Sequence, residues 1–177
     1  AVVFTHPHRD HYAGLDDIRP FNFHSNKPMH VYANAFTQVA IKRDFYYAFE
    51  KNKDEGLPEM ILHTIETEPF NIGDIVFQPI PVFHREMPVL GFRMGDFAYV
   101  TDVNMIPESS KDIIRGSTTL VISALRREPH PTHFTVDESL AVVKELGIPS
   151  VYFTHFSHQI GLHEKVNPQL PSGVSLA

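Results

Sequence analysis

With 177 residues, this chain is the size of one domain, and it lacks any run of about 18 apolar residues that could cross a bilayer. Its formal net charge of −6 disfavours extended nucleic acid as a partner, because a polyanion is repelled unless a local basic patch outweighs the total. The absence of cysteine excludes disulfides and thiolate metal ligands, and no secretory signal precedes the first strand. We therefore expect one site, a small-molecule substrate, no membrane association and a cytoplasmic location.

The chain opens with an apolar run that leads directly into a histidine-rich motif. Residues 2–5 predict a buried strand, which is followed by His6, His8, Asp10 and His11. At this spacing alternate residues can reach one metal ion while the last two reach a neighbouring ion, so a short loop can supply ligands to both. Four ligand-type residues within six positions therefore predict a metal site.

The next part of the chain predicts a helix and a hairpin. Within residues 38–53 an apolar stripe at roughly helical spacing indicates an amphipathic helix, and its members are Val39, Phe45, Tyr46 and Phe49. Residues 52–58 indicate a loop. Residues 64–78, with a turn at 71–74, predict a β-hairpin. These elements carry no predicted ligand.

Three later apolar runs each end at a ligand-type residue. They are residues 80–83 before His84, 97–101 before Asp102 and 151–154 before His155. Each run predicts a strand, and Pro81 marks the first of them as an edge or irregular strand. Sites in α/β proteins commonly lie at the carboxyl ends of strands, so these side chains are candidates for one site.

A strand–helix–strand unit is predicted near the end of the chain. Residues 119–123 and 150–154 predict strands. Between them, Thr135 and Glu138 fit a capping box that opens a helix, which runs to Leu146 and ends at Gly147.

Together these residues can hold two divalent ions. His84 and His155 can complete three protein contacts for each ion, and the carboxylate of Asp102 can bridge them. A hydroxide held between two cations about 3.5–4 Å apart is a nucleophile at neutral pH, so hydrolysis is the natural reaction. Zinc is the expected metal, and the nitrogen and oxygen ligands would also accept manganese.

The other histidines are interpreted differently. His24, His30, His63 and His163 are expected to be surface or structural residues. His158 lies three residues after His155 and could orient a ligand or simply lie on the surface.

The motif of residues 5–14 resembles the THxHxDHxxG signature of the metallo-β-lactamase superfamily. More narrowly, residues 14–19, 101–102, 154–159 and 170–173 look like the branch that contains the phosphoribosyl cyclic phosphodiesterase of phosphonate breakdown. The resemblance implies an α+β fold of the αββα sandwich type, formed here as a single metallo-hydrolase domain over residues 1–177. Members normally have strands before the motif and one more strand after the last segment, so the sequence predicts a sandwich that lacks its amino-terminal strands and its last strand.

The resemblance also implies a role for each residue. One metal would be bound by His6, His8 and His84, the other by Asp10, His11 and His155, with Asp102 bridging them. In this branch a further histidine acts as an acid at the leaving group, and His133 falls at its place, just before the predicted helix. His133 and Asp10 are therefore the candidate catalytic residues.

The superfamily hosts several reactions, and individual residues distinguish them. Antibiotic-cleaving members typically have cysteine in place of Asp102, and di-iron redox members have glutamate in place of His8. Hydrolysis of a small phosphodiester, cyclic or linear, through a metal-bridging hydroxide is therefore the predicted function. The alternatives are ribonuclease Z-like RNA 3′ processing, glyoxalase-like thioester hydrolysis and a metal-binding module without turnover. The sequence leaves the oligomeric state, including a homodimer, open.

Overall fold

A computed structural model describes residues 1–50 and 56–177, which group into two compact units, Ala1–Glu66 and Thr67–Ala177. Each unit has its own β-sheet and hydrophobic core. The assignment of residues 1–177 to one domain stays a prediction. Among the described residues, none of the helices has the length and apolar character needed to cross a membrane.

The first unit is a three-stranded parallel sheet with helices packed on it. Its strands, in sheet order, are β1 (Val2–Val3), β2 (Met29–Ala33) and β3 (Met60–Thr64). Its helices are α1 (Arg9–Tyr12), α2 (Arg19–Ser25) and α3 (Ala35–Asp44), with 3-10 segments at Ala13–Ile18 and Tyr46–Phe49. The core combines strand residues such as Val31 with helix residues such as Ile41, both fully buried. This packing holds the segment after β1 beside α3.

The predicted helix at residues 38–53 is wrong in its bounds and in its buried face. It begins three residues earlier because the side chain of Asn34 accepts a hydrogen bond from the backbone N–H of Thr37 at 2.8 Å, which caps α3. It ends at Asp44, where the chain continues as a 3-10 segment. Val39, placed in the predicted apolar stripe, is exposed, whereas Ile41 is buried. Residues 51–55 of the predicted helix end and loop lie outside the described residues.

The second unit is a seven-stranded mixed sheet in the order β10-β9-β8-β7-β6-β5-β4. Its strands are β4 (Phe70–Ile72), β5 (Ile75–His84), β6 (Met87–Met94), β7 (Phe97–Val100), β8 (Thr119–Ser123), β9 (Ser150–Thr154) and β10 (Val174–Leu176). Its helices are α4 (Glu108–Ile114), α5 (Val136–Leu146) and α6 (His163–Val166), with 3-10 segments at His158–Ile160 and Asn167–Gln169. Strands β7 to β10 are parallel, and β4 to β7 are antiparallel.

The predicted hairpin is formed by β4 and β5, and its turn at residues 73–74 lies within the predicted turn at 71–74. Its first strand is shorter than predicted and begins only at Phe70, and residue 64 belongs to β3 of the other sheet. Gly73 makes the turn at φ 58°, a left-handed conformation that glycine adopts without steric cost. Only the first three residues of β5 pair with β4, and Pro81 lies beyond them. Among the described strands, Pro81 pairs with β6 alone. Its missing N–H therefore costs no ladder hydrogen bond, as expected for an edge position.

The predicted strand–helix–strand unit is confirmed by β8, α5 and β9. The side chain of Thr135 accepts from the backbone of Glu138 at 3.2 Å, and the Glu138 carboxylate accepts from the backbone of Thr135 at 2.7 Å. Gly147 ends the helix in the left-handed conformation. The loop between β8 and α5, which carries His133, is therefore anchored at both ends.

Candidate metal centre

The histidine motif of the first unit gathers three imidazoles immediately after β1. His6 is fully buried, and its ring centroid lies 4.7 Å from that of His8 and 4.2 Å from that of His11. The Thr5 hydroxyl lies 2.9 Å from Nδ1 of His6, so Nε2 is the nitrogen that can bind a metal. The three imidazoles of the motif therefore lie side by side, and their division between two metal ions stays a prediction.

Helix α1 brings Asp10 beside His11. The carboxylate of Asp10 lies 3.4 Å from Nε2 of His11, and the Asp10 side chain is 64% exposed. His8 forms the N-cap of α1, and the backbone N–H of His11 donates to the carbonyl of His8 at 3.0 Å. The first unit thus brings together all four predicted ligands of the motif.

In the second unit, His84 ends β5 and is held in one tautomer. Its Nδ1 lies 2.7 Å from the backbone carbonyl oxygen of Thr132. Because a carbonyl can only accept a hydrogen bond, Nδ1 carries the proton and Nε2 has the lone pair that a metal requires. The loop before α5 therefore prepares His84 as a ligand.

Asp102 and His155 lie together where β7 and β9 end. Asp102 is buried and accepts a hydrogen bond from the Thr101 hydroxyl at 2.7 Å. Nε2 of His155 lies 3.3 Å from the same carboxylate oxygen. His155 has φ 54°, a left-handed conformation that costs a non-glycine residue about 1–3 kcal/mol and is found mainly at functional sites.

His133 joins this cluster, although its contacts could not be read from the sequence. Its ring centroid lies 4.4 Å from that of His84 and 5.0 Å from that of His155. The ligand atoms of Asp102, His133 and His155 all lie within 4.8 Å of one another. Nδ1 of His133 is buried and has no hydrogen-bond partner among the described residues. A buried polar atom of this kind fits a site that receives a further group.

The electrostatics of His133 follow from its burial. Burial is the main cause that lowers the pKa of His133 to about 4, and the charge of Asp102 opposes the shift. The imidazole is therefore neutral at pH 7 in the metal-free chain. A neutral ring is suited to bind a cation or to donate one N–H hydrogen bond.

Arg126 fixes the loop that carries His133, a contact that sequence reasoning missed. Its guanidinium donates to the carbonyls of Glu128 at 3.2 Å and Pro129 at 2.9 Å, and to the Gln159 side chain at 2.7 Å. The residue types alone gave no signal for these contacts, because two of the three acceptors are backbone atoms.

The remaining histidines include a pair on the first sheet and one neighbour of His133. His30 and His63 contact each other on the first sheet, with 2.7 Å between Nδ1 and Nε2, which agrees with the structural role expected for them. His158 is exposed at the start of a 3-10 segment, and the ring of His130 is tilted by 44° relative to that of His133, with ring centroids 5.1 Å apart.

The family model for the beta-lactamase superfamily domain matches residues 1–156. The chain belongs to the metallo-β-lactamase superfamily. A crystal structure of a diphosphatase from the PhnP family is 39% identical, with a TM-score of 0.90, covering 99% of this chain and 66% of that one. The metallo-β-lactamase fold predicted from the sequence is therefore confirmed, and so is the resemblance to this branch of the superfamily.

Two curated proteins also match this superfamily member. The octanoyltransferase of Porphyromonas gingivalis is 32% identical over 173 residues, which is 97% of this chain and 35% of the relative. Ribonuclease J of Sinorhizobium meliloti is 29% identical over 179 residues, covering 91% of this chain and 30% of the relative. The chain thus spans about a third of the length of these curated relatives.

The donor atoms fit the divalent ions that metallo-β-lactamase domains imply. All the candidates offer imidazole nitrogen or carboxylate oxygen, a set that suits zinc and manganese. Two of the histidines have the remaining nitrogen engaged by a threonine, as metal-binding imidazoles usually do. The residues present are therefore competent to bind metal.

Proposed function

We propose that this protein is a dinuclear metal hydrolase that cleaves a small phosphodiester. The observation that carries the proposal is the cluster of Asp102, His133 and His155, whose ligand atoms lie within 4.8 Å of one another in a metallo-β-lactamase superfamily member. The 39% identity to a diphosphatase further supports chemistry at phosphorus. A diphosphate and a phosphodiester both require attack of water on a phosphorus that carries an oxygen leaving group.

The ligands of the two ions follow the assignment that the family resemblance implies. His6, His8 and His84 would hold one ion, and Asp10, His11 and His155 the other, with Asp102 bound to both. When bound, two divalent cations lower the pKa of water and neutralise charge on the attacked phosphate. Zinc is the proposed metal, with manganese as the alternative.

Two residues are proposed to handle protons. The exposed carboxylate of Asp10 would accept a proton from the attacking water, since carboxylates act as general bases. His133 would donate to the oxygen of the leaving alcohol, a step that requires the protonated ring. The ring is neutral in the metal-free chain, and the negative charge of a bound phosphodiester would raise its pKa and favour the protonated form. The buried ring and its anchored loop support this role, because a donor must be held in position to act in the transition state.

The substrate class is tested by comparing four compounds with one protein under a single metal condition. They are bis(p-nitrophenyl) phosphate, p-nitrophenyl phosphate, a β-lactam and a glutathione thioester. The expected result is a higher kcat/KM for the phosphodiester than for the other three. A preference for the thioester would move the protein to the glyoxalase-like reaction, and turnover of none in metal-loaded protein would favour a binding module.

Metal binding is tested separately by elemental analysis. Wild-type full-length protein should contain two ions per chain, and the His8→Ala, Asp10→Ala double variant should lose them. Metal content near zero in folded wild-type protein, or unchanged content in the double variant, would contradict the proposed site.

RNA 3′ processing is the second candidate, and the match to ribonuclease J over 91% of this chain supports RNA as its substrate class. The net charge of −6 argues against it, because RNA-binding surfaces need local positive charge. Cleavage of a structured RNA with a kcat/KM above that for cyclic phosphodiesters would establish it.

A further inference from the structure

Helix α1 carries Asp10 and His11 but cannot hold its own orientation. It is four residues long, and its N-cap residue His8 makes no side-chain capping hydrogen bond. Isolated helices shorter than about 12 residues are marginal in water, so a single turn must be fixed by contacts with other elements. The orientation of two predicted ligands therefore depends on what α1 touches.

Both ends of α1 contact one carboxylate, that of Asp44 at the end of α3. The Tyr12 hydroxyl donates to Oδ2 of Asp44, and Nη1 of Arg9 lies 3.4 Å from the same oxygen. Arg9 and Tyr12 directly flank Asp10 and His11 in the sequence. One side chain thus fixes the turn on either side of its two ligand-type residues.

The Asp44 carboxylate is itself firmly placed. Arg43 donates to Oδ1 at 2.6 Å and to Oδ2 at 3.1 Å, and the Asp44 side chain is only 18% exposed. The Tyr12 ring is 3% exposed and packs edge-on against Phe4 and Phe45, with centroids 6.5 and 6.0 Å apart. The hydroxyl of Tyr12 therefore meets Asp44 inside a packed aromatic cluster, where its direction is fixed.

We propose that Asp44 is a positioning residue of the metal centre, which acts through Tyr12 and Arg9 to orient Asp10 and His11 for metal binding. This inference rests on the metal binding proposed above, but it does not depend on the substrate. Groups that contact a ligating side chain directly typically change metal affinity by about 10–100-fold. Asp44 contacts the neighbours of the two ligands, so the expected effect lies at the lower end of this range.

The test is a titration of the metal-free, full-length protein with cobalt(II), followed by visible absorption, which reports both affinity and ligand geometry. Asp44→Ala and Tyr12→Phe are compared with Tyr47→Phe as a matched control. Tyr47 also donates its hydroxyl to an aspartate of the same unit, Asp16, at 2.7 Å, but it lies on the 3-10 segment after α3. Circular dichroism and thermal unfolding of each metal-free variant check its fold.

Asp44→Ala should weaken cobalt binding by about tenfold and alter the visible bands, with a smaller loss in Tyr12→Phe, whereas the control should stay within about twofold. Unchanged affinity and spectrum in folded Asp44→Ala and Tyr12→Phe would overturn the inference. An equal loss in the control would also overturn it, because the effect would then be a general loosening of the unit. Should Asp44→Ala fail to fold, Tyr12→Phe decides, since it keeps the aromatic packing.

The outcomes also separate this inference from the proposed function. Wild-type protein that binds no cobalt would contradict the metal centre and this inference together. Weakened cobalt binding in the two variants, combined with no phosphodiester turnover by wild-type protein, would support the positioning role and contradict only the proposed substrate.

Discussion

Replacement of His133 by alanine tests whether this residue acts as a proton donor or as a metal ligand. The ring is 9% exposed and lies among His84, Asp102 and His155, so either role is sterically available. As a donor, its loss should slow a diester with a poor alkoxide leaving group by about a hundredfold or more, the usual worth of general acid catalysis. A hundredfold loss corresponds to about 2.7 kcal/mol of transition-state stabilisation. A nitrophenolate needs little protonation, so its diester should slow by less than about tenfold.

The assay measures kcat/KM for both diesters and the metal content of the same protein samples. His130→Ala is the matched control, because it removes a neighbouring imidazole whose ring centroid lies 5.1 Å from that of His133. For each diester, it should lower kcat/KM less than His133→Ala does. His133→Gln limits the effect of the cavity that alanine would leave. Metal content should remain at the wild-type value. Equal losses on both diesters would refute proton donation and indicate substrate positioning, and loss of metal would make His133 a ligand.

Three further predictions concern the rest of the site and the fold. Asp102→Ala should lower metal content and kcat/KM more than His84→Ala, because it removes a contact to both proposed ions; equal effects in elemental analysis would contradict the bridge. Arg126→Ala should lower the free energy of unfolding by about 1–2 kcal/mol in urea titration, since its hydrogen bonds hold the loop before α5. Burial, with a hydrogen bond to Asp16, raises the pKa of Tyr47 from 10.0 to about 12. The neutral Tyr47 hydroxyl therefore contributes its full stability below pH 10, and this contribution is lost as the pH rises from 10 to 12. Tyr47→Phe should flatten the dependence of the free energy of unfolding on pH in that range. An unaltered slope would contradict the prediction.

The strand ends that carry ligands could be predicted because buried parallel strands have continuous apolar sequences. The runs before Asp102 and His155 became β7 and β9, and the capping box at Thr135 and Glu138 became the start of α5. In each case the signal is local, since burial on both faces or a capping pair is visible within a few residues. The histidine motif was equally local, because its four predicted ligands lie within six consecutive residues.

Contacts made by irregular backbone could not be predicted. The loop before α5 has no periodic pattern, and its path depends on backbone hydrogen bonds from Phe134 to Val103 at 2.9 Å and from Leu125 to Phe134 at 3.0 Å. Nothing in these residue types indicates that His133 reaches His155. The bounds of α3 failed for a related reason, because aromatic spacing suggested one long helix where Phe45 instead begins a tighter turn.

The contact that sets the tautomer of His84 is made by a main-chain oxygen, that of Thr132. Any residue at position 132 supplies the same oxygen, so an alanine scan would pass over it and remove only the hydroxyl that lies 3.2 Å from His130. For the same reason, this hydrogen bond imposes no requirement on the residue type at position 132. The tautomer of His84 therefore depends on the backbone path of the loop between β8 and α5. An insertion or deletion in this loop would disturb the tautomer, whereas a substitution at position 132 would not.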